Sequence, residues 1–196
     1  MNVQPLTVEH ARRIAEIHAS ALAGDFLPSL GVPFLSELYR GILGLGLGFG
    51  FISLAGEDVG GFVIASEDTS TLFHTVMLRR AAPLALRLLP AVLRRPALVR
   101  NIVETFTYPE QENAVPVKAE LLVIAVDAVR RSQGIGAALG AALDAEFRRR
   151  AILDYKVTVN QSNSGASRFY VRQGFVLAHS FRLYGRACNL YTRTLH

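Results

Sequence analysis

Three segments in succession constrain this chain most. Glu-Leu-Leu-Val-Ile-Ala-Val at 120–126 is a continuous apolar run, the mark of a buried strand. Asp-Ala-Val-Arg-Arg-Ser-Gln follows at 127–133, and Gly-Ile-Gly opens a helical pattern at 134. Ile135, Leu139, Leu143 and Phe147 then recur every fourth residue, which predicts a helix over 134–151. The first N–H groups of a helix have no intrahelical partner, and the helix dipole places partial positive charge there. Glycines admit an anion close to the backbone, and Arg130 and Arg131 add full charges. Two glycines alone would only ease a turn. Strand, arginines, glycines and helix in this order favour a phosphate or pyrophosphate site.

Three phosphate-binding motifs compete for that reading. The nucleotide P-loop requires Gly-Lys-Ser/Thr after its glycines, and none is present. The dinucleotide fingerprint places its first glycine directly after the strand. Here seven residues, Asp127 to Gln133, intervene, and Leu139 stands where Gly or Ala is wanted. The third is the coenzyme A loop of the Gcn5-related N-acetyltransferase (GNAT) family, which the chain resembles. That family's motif is matched by Arg131-Ser132-Gln133-Gly134-Ile135-Gly136. Its next motif is matched by Asn163, Ala166, Tyr170 and Gly174-Phe175. The close match covers about residues 118–176.

The rest of the chain supplies the frame. Thr7 can cap a first helix carrying Ala11, Ile14, Ile17 and Ala21. AGDFLPSLG reads as a loop, and a second helix starts near Pro33 with Phe34, Leu38 and Ile42 on its apolar face and Tyr39 beside them. GFGFISLAGEDVGGFVIAS reads as a hairpin turning at Gly56-Glu57-Asp58. Residues 78–106 alternate leucine with arginine, and Pro83, Pro90 and Pro96 predict short or kinked helices. TYPEQENAVP is a polar loop. YKVTVN is a strand, SGASRFYVRQG a helix ended by Gly174, and the C-terminus a hairpin turning near Gly185.

The expected architecture is α+β: one GNAT-type domain over 1–196, built on a twisted, mostly antiparallel mixed sheet with helices on both faces. A helical insertion over 78–112 falls between strands 3 and 4 of the family's order.

The resemblance implies acetyl-coenzyme A as co-substrate and acetyl transfer to a small-molecule amine. It places the coenzyme pyrophosphate on Arg131, Ser132, Gln133, Gly134, Ile135, Gly136 and Ala137. The pantetheine arm would pair with the free edge of Ile124, Ala125 and Val126, and Asn163 would contact the coenzyme from the other side. Glu120, at the head of the central strand, is the candidate general base; the plainer alternative is a solvated strand end. Tyr170 is the candidate acid, its ordinary pKa near 10 lying close to that of a thiol at about 8.5. The resemblance also puts Asp25, Phe26, Tyr39 and the insertion at the acceptor pocket. The arginines of the insertion would attract an anionic acceptor such as an amino sugar carried on a nucleotide, a class that a weaker resemblance to surface-polysaccharide acetyltransferases also suggests.

Composition bounds the alternatives. The net charge is +5, with half the residues hydrophobic, which suits a folded domain with an anionic ligand. One cysteine, Cys188, allows no internal disulfide, and the five histidines are scattered, so no metal is expected. The longest uncharged run, Gly41–Gly56, has 16 residues and six glycines, too short for a convincing membrane span. The N-terminus lacks a signal peptide's apolar region, and a cytoplasmic protein is expected. Nucleic acid is not expected as a partner, and the apolar insertion would be the place for a homodimer contact. Two other classes stay open: an anionic-surface or nucleic-acid binding module on an acetyltransferase scaffold, and a member that binds coenzyme A without transfer.

Overall fold

The computed structural model describes residues 2–56, 58–102, 104 and 115–196. Seven strands form one sheet: β1 (Asn2–Pro5), β2 (Phe49–Ala55), β3 (Asp58–Ser66), β4 (Glu120–Val126), β5 (Asp154–Asn160), β6 (Val176–Leu183) and β7 (Arg186–Thr194). Their spatial order is β1-β2-β3-β4-β5-β7-β6. Every neighbouring pair is antiparallel except β4 and β5, which run parallel and meet at Glu120 opposite Lys156. The α+β class and the mixed sheet expected from the sequence are observed.

The helices are α1 (Ala11–Ala21), α2 (Phe26–Ser29), α3 (Val32–Gly44), α4 (Thr69–Arg79), α5 (Ala81–Arg94), α7 (Ile135–Arg149) and α8 (Ser164–Arg172), with a further helical stretch, α6, over 98–102. Alternation along β3 explains why they cover both faces. Phe62 and Ile64 point into a core shared with Ile14, Ile17, Leu35, Leu38 and Leu72 of α1, α3 and α4. Val63 and Ala65 point the other way, into a core with Leu139, Leu143 and Phe147 of α7 and Tyr170 of α8. The four-residue spacing read for α7 is its buried stripe: Ile135, Leu139, Leu143 and Phe147 are all buried. Phe147 stacks on Tyr155 of β5 at 4.5 Å, and Tyr155 donates to Asp144 of α7 at 2.7 Å. Asp144 also pairs with Arg193 of β7 at 2.9 Å, so α7 is fastened to the far half of the sheet.

Several expectations need correction. The first element is an edge strand, β1, and a 3-10 turn at Val8–His10 stands between Thr7 and α1. Thr7 ties that turn back through its N–H to His10 Nδ1 at 3.1 Å. AGDFLPSLG contains the short helix α2 rather than loop alone. Fewer prolines interrupt a helix than the sequence predicts. Pro83 lies in the first turn of α5, where N–H groups have no partner anyway, and Pro90 sits inside α5 on its exposed side. Of the three, only Pro96 coincides with an interruption. α4 begins earlier than the segment read from sequence, capped by the Asp68 side chain, which accepts from the Thr71 N–H at 3.0 Å. The TYPEQENAVP loop lies largely outside the described residues.

Candidate active site

The site is made by a departure. β4 and β5 start side by side at Glu120 and Lys156 and then separate, leaving a cleft of about 1130 Å³. On its other side β4 stays paired with β3 as far as Val126 opposite Gly61. The Asp127 N–H continues that pairing to the Gly60 carbonyl at 2.9 Å. Main-chain groups alternate along a strand, so Val126 and Ile124 direct theirs away from β3, toward the open side. Arg131 Nε takes up the Val126 carbonyl from there, at 3.4 Å. Ile124, Ala125 and Val126 line the cleft, as the sequence reading required.

The loop after β4 is shaped before any ligand arrives. Asp127 accepts from Arg13 at 3.2 Å and from the Val129 N–H at 3.4 Å. Ser132 and Gly134 have left-handed backbone, φ +62° and +79°, which turns successive N–H groups into a concave nest. The first intrahelical bond of α7 runs from the Ala138 N–H to the Gly134 carbonyl. The N–H groups of Ile135, Gly136 and Ala137 therefore precede it. Arg130, Arg131, Ser132, Gly134, Ile135, Gly136 and Ala137 line the cleft. Gln133 does not; it is exposed to solvent, so the structure does not gather its side chain with the others. The β3 glycines make room: a Cβ on Gly61 would stand 3.0 Å from Ile135, and one on Gly60 would stand 2.8 Å from Arg130.

Across the cleft, Asn163 caps α8, its Oδ1 accepting from the Ala166 N–H at 3.0 Å. Tyr170, two turns on, is buried and lines the cleft floor together with Glu120. Glu120 is not a solvated strand end: it is 3% exposed and accepts from Thr69 Oγ1 at 2.9 Å. Burial, reinforced by the Glu120 carboxylate, pushes the Tyr170 hydroxyl well above the usual phenol range. That loosens the expected match between Tyr170 and a thiol. A phenol so shifted stays protonated and donates a hydrogen bond more readily than it surrenders its proton.

The other end of the cleft brings together the remaining sequence candidates and adds others. Asp25, Phe26 and Tyr39 all line the same cleft. Asp25 pairs with Arg186 of β7 at 3.3 Å. Burial raises its carboxyl pKa, an effect that Arg186 and Asn160 partly offset. Phe26 packs on Tyr184 of the C-terminal hairpin with ring centres 4.4 Å apart. The Tyr39 hydroxyl lies 2.6 Å from His18 Nδ1. Burial depresses His18 to a pKa of about 4, so the imidazole is neutral near pH 7. His18, Thr69, Tyr184 and Arg186 are missing from the sequence reading. For His18 the signal was there: it follows Ile14 by four residues on the inward face of α1. Cys188 also lines the cleft, and burial raises its pKa, which keeps it a thiol rather than a nucleophilic thiolate. Among the described residues no group of His, Cys, Asp and Glu is placed to hold a metal ion.

Comparison with known proteins agrees with this geometry. Residues 105–183 match the family model of the acetyltransferase (GNAT) domain. No protein of curated function matches the chain in sequence. Solved structures resemble it over their whole length at low identity. A ribosomal-protein-alanine N-acetyltransferase from Brucella melitensis is 14% identical with a TM-score of 0.62, covering 100% of both chains. Ard1 from Thermoplasma volcanium is 16% identical with a TM-score of 0.61, covering 100% of this chain and 97% of its own. PaiA N-acetyltransferase from Thermoplasma acidophilum, solved in complex with coenzyme A, is 13% identical with a TM-score of 0.54, covering 99% of each. At such identities the likeness carries the fold alone. Motif, domain match and fold coincide: residues 105–183 match the acetyltransferase (GNAT) domain, a domain that uses acetyl-coenzyme A, and the whole chain shares the fold of solved N-acetyltransferases.

Proposed function

We propose that the chain transfers an acetyl group from acetyl-coenzyme A to a small primary amine by direct attack within a ternary complex. The observation that carries this reading is the single cleft onto which the N–H nest, the open edge of β4, Glu120 and Tyr170 all converge. The nest from Arg131 to Ala137 would receive the pyrophosphate, with the Gln133 contribution limited to its backbone. The edge at 124–126 would hold the pantetheine arm, and Asn163 would flank it. The N–H of Val126 would face the oxygen of the acetyl carbonyl as charge develops there.

Glu120 would accept the amine proton, directly or through water, and Tyr170 would donate to the departing sulfur. The two roles support each other. Ionised Glu120 raises the Tyr170 pKa; once Glu120 has taken a proton, that influence disappears and Tyr170 becomes a better donor when the thiolate forms.

The acceptor would enter between Asp25, Phe26 and Tyr39, with the helical insertion as its cover. Of the arginines in the insertion, Arg95 reaches the cleft and is the cation that an anionic acceptor such as an amino-sugar nucleotide would meet.

Calorimetry with acetyl-coenzyme A and, separately, NAD tests the coenzyme assignment: micromolar binding of the former alone is expected. Turnover over a panel of amino-sugar nucleotides, small amines and alanine-headed peptides then tests the acceptor. With the best acceptor, Glu120→Gln is expected to lower kcat by roughly 10²–10⁴-fold at neutral pH. Its rate should recover as pH rises toward the acceptor's own pKa. Tyr170→Phe is expected to lower kcat with coenzyme affinity unchanged. Wild-type turnover in either variant would move that role to another residue.

A further inference from the structure

The helical insertion has a second, outward-facing side with no role in the cleft. α5 buries Leu84 and rests Leu88 against the core. A quarter to half a turn round, Leu86, Leu89 and Leu93 are 67%, 53% and 74% exposed, and Leu78 at the end of α4 is 72% exposed. At 3.6 residues per turn, Leu86, Leu89, Leu93 and Ala82 fall on one stripe, and Arg87 and Arg94 run along one border of it. Arg79, Arg95 and Arg100 are exposed nearby. The sequence has no acidic residue from Thr69 to Val103. Among the described residues the cations Arg79, Arg87, Arg94, Arg95 and Arg100 have no ion-pair partner, whereas Arg80 pairs inward with Glu37.

We infer that this outer face of α5, with Leu78 of α4, docks on an anionic phospholipid surface. A helix that is apolar on both sides has one side left to bury, and a bordering row of arginines suits phosphate headgroups while their stems follow the leucines inward. Among the described residues no helix is long and apolar enough to cross a membrane, so α5 lies along the surface. A second copy of the chain is a poorer occupant, since a twofold contact would set the same unpaired arginines against one another. A nucleic acid is poorer still, because the outermost groups are leucines and a polyanion would have to press against them. Arg95, just beyond α5, also lines the cleft, so docking would bring the acceptor side of the site to the membrane.

Co-sedimentation of the full chain with vesicles tests this. Binding is expected to vesicles of phosphatidylcholine mixed with phosphatidylglycerol and not to phosphatidylcholine alone. Leu86→Glu combined with Leu93→Glu should weaken that binding by more than about tenfold while acetyl-coenzyme A still binds. The protein has no tryptophan, so Leu89→Trp supplies a single indole whose emission should shift to the blue with the mixed vesicles. Equal partition onto both lipid compositions, unaltered binding by the double variant, or an indole that stays in water would each overturn the inference. So would a solution dimer that the two glutamates dissolve, which would assign the face to a second copy. Loss of vesicle binding with coenzyme binding intact would leave the reading of the cleft untouched.

Discussion

The loop after β4 and the helical insertion are both arginine-bearing, and they use arginine differently. In the loop after β4, charge is held by structure. Arg131 is tied to the carbonyls of Val126 and Ala21, and Asp127 is gripped by Arg13. Across the sheet the end of α7 is equally bound, with Arg149 and Arg150 both on Glu146 at 2.7 Å and Arg150 on Glu67 at 2.6 Å. In the insertion Arg87 and Arg94 stand beside exposed leucines and have no ion-pair partner among the described residues. A site that must fit one anion in one pose is preorganised by bonds made in advance. A surface that meets a fluid layer of headgroups gains nothing from such bonds.

The largest expected effect falls on the preorganised side. Gly134 has φ +79°, and its position opens the N–H nest. Gly134→Glu adds left-handed strain and a negative charge where the proposed pyrophosphate would sit. Coenzyme affinity should fall about a hundredfold or more. Gly134→Ala separates the causes, because it keeps only the strain, about 1–2 kcal/mol, and should show mainly in stability. Calorimetry gives the first and urea unfolding the second. If Gly134→Glu binds acetyl-coenzyme A like the wild type, the nest is not the pyrophosphate site, and the contrast between the two arginine regions fails at its stronger end.

The same contrast explains what could be read in advance. From β4 to α8 the signals are local and repeated: an apolar run, glycines at a turn, leucines at four-residue spacing, an Asn at a helix start. Each specifies its own element, and the elements were found where expected. β1 escaped because Asn-Val-Gln-Pro has no alternation of its own and becomes a strand by pairing with β2. α5 runs past Pro90 because a proline breaks a helix only if the lost bond is needed; Leu86, whose carbonyl loses that bond, is 67% exposed, so water can replace it. His18 and Tyr39 meet across α1 and α3, 21 residues apart, which no single-helix pattern encodes. The splay of β4 from β5 is likewise a property of two strands together.

A middle-sized effect comes from His18, on the cleft wall beside Tyr39. Its folded pKa of about 4 lies below the unfolded value of 6.5. Between those values the unfolded chain holds the proton and the folded chain does not, so stability increases with pH across the window. The contribution is complete above about pH 6.5 and is lost as pH falls through about 4. In magnitude it reaches roughly 3 kcal/mol, from about 1.4 kcal/mol per pKa unit. Urea unfolding from pH 7 to pH 4 should therefore be steeper in pH for the wild type than for His18→Gln, which keeps a polar partner for Tyr39. Identical pH profiles would mean that His18 is hydrated in the folded protein and that this wall of the cleft is more open than its burial indicates.

The smallest effect sharpens the comparison from the other end. If the outer leucines of α5 serve a partner, they contribute almost nothing to the isolated fold. Leu86→Ser removes a side chain that is 67% exposed, and surface changes of this kind stay within about ±0.5 kcal/mol. Leu84, on the opposite side of the same helix, is 2% exposed, and Leu84→Ala should cost about 2–5 kcal/mol. The two substitutions lie two residues apart on one helix, so the difference between them measures the face and not the helix. Unfolding midpoints that fall together would show that Leu86 is buried against the rest of the chain in solution. α5 would then have no free face to offer, and its arginines would belong to the fold in the same sense as those of the loop.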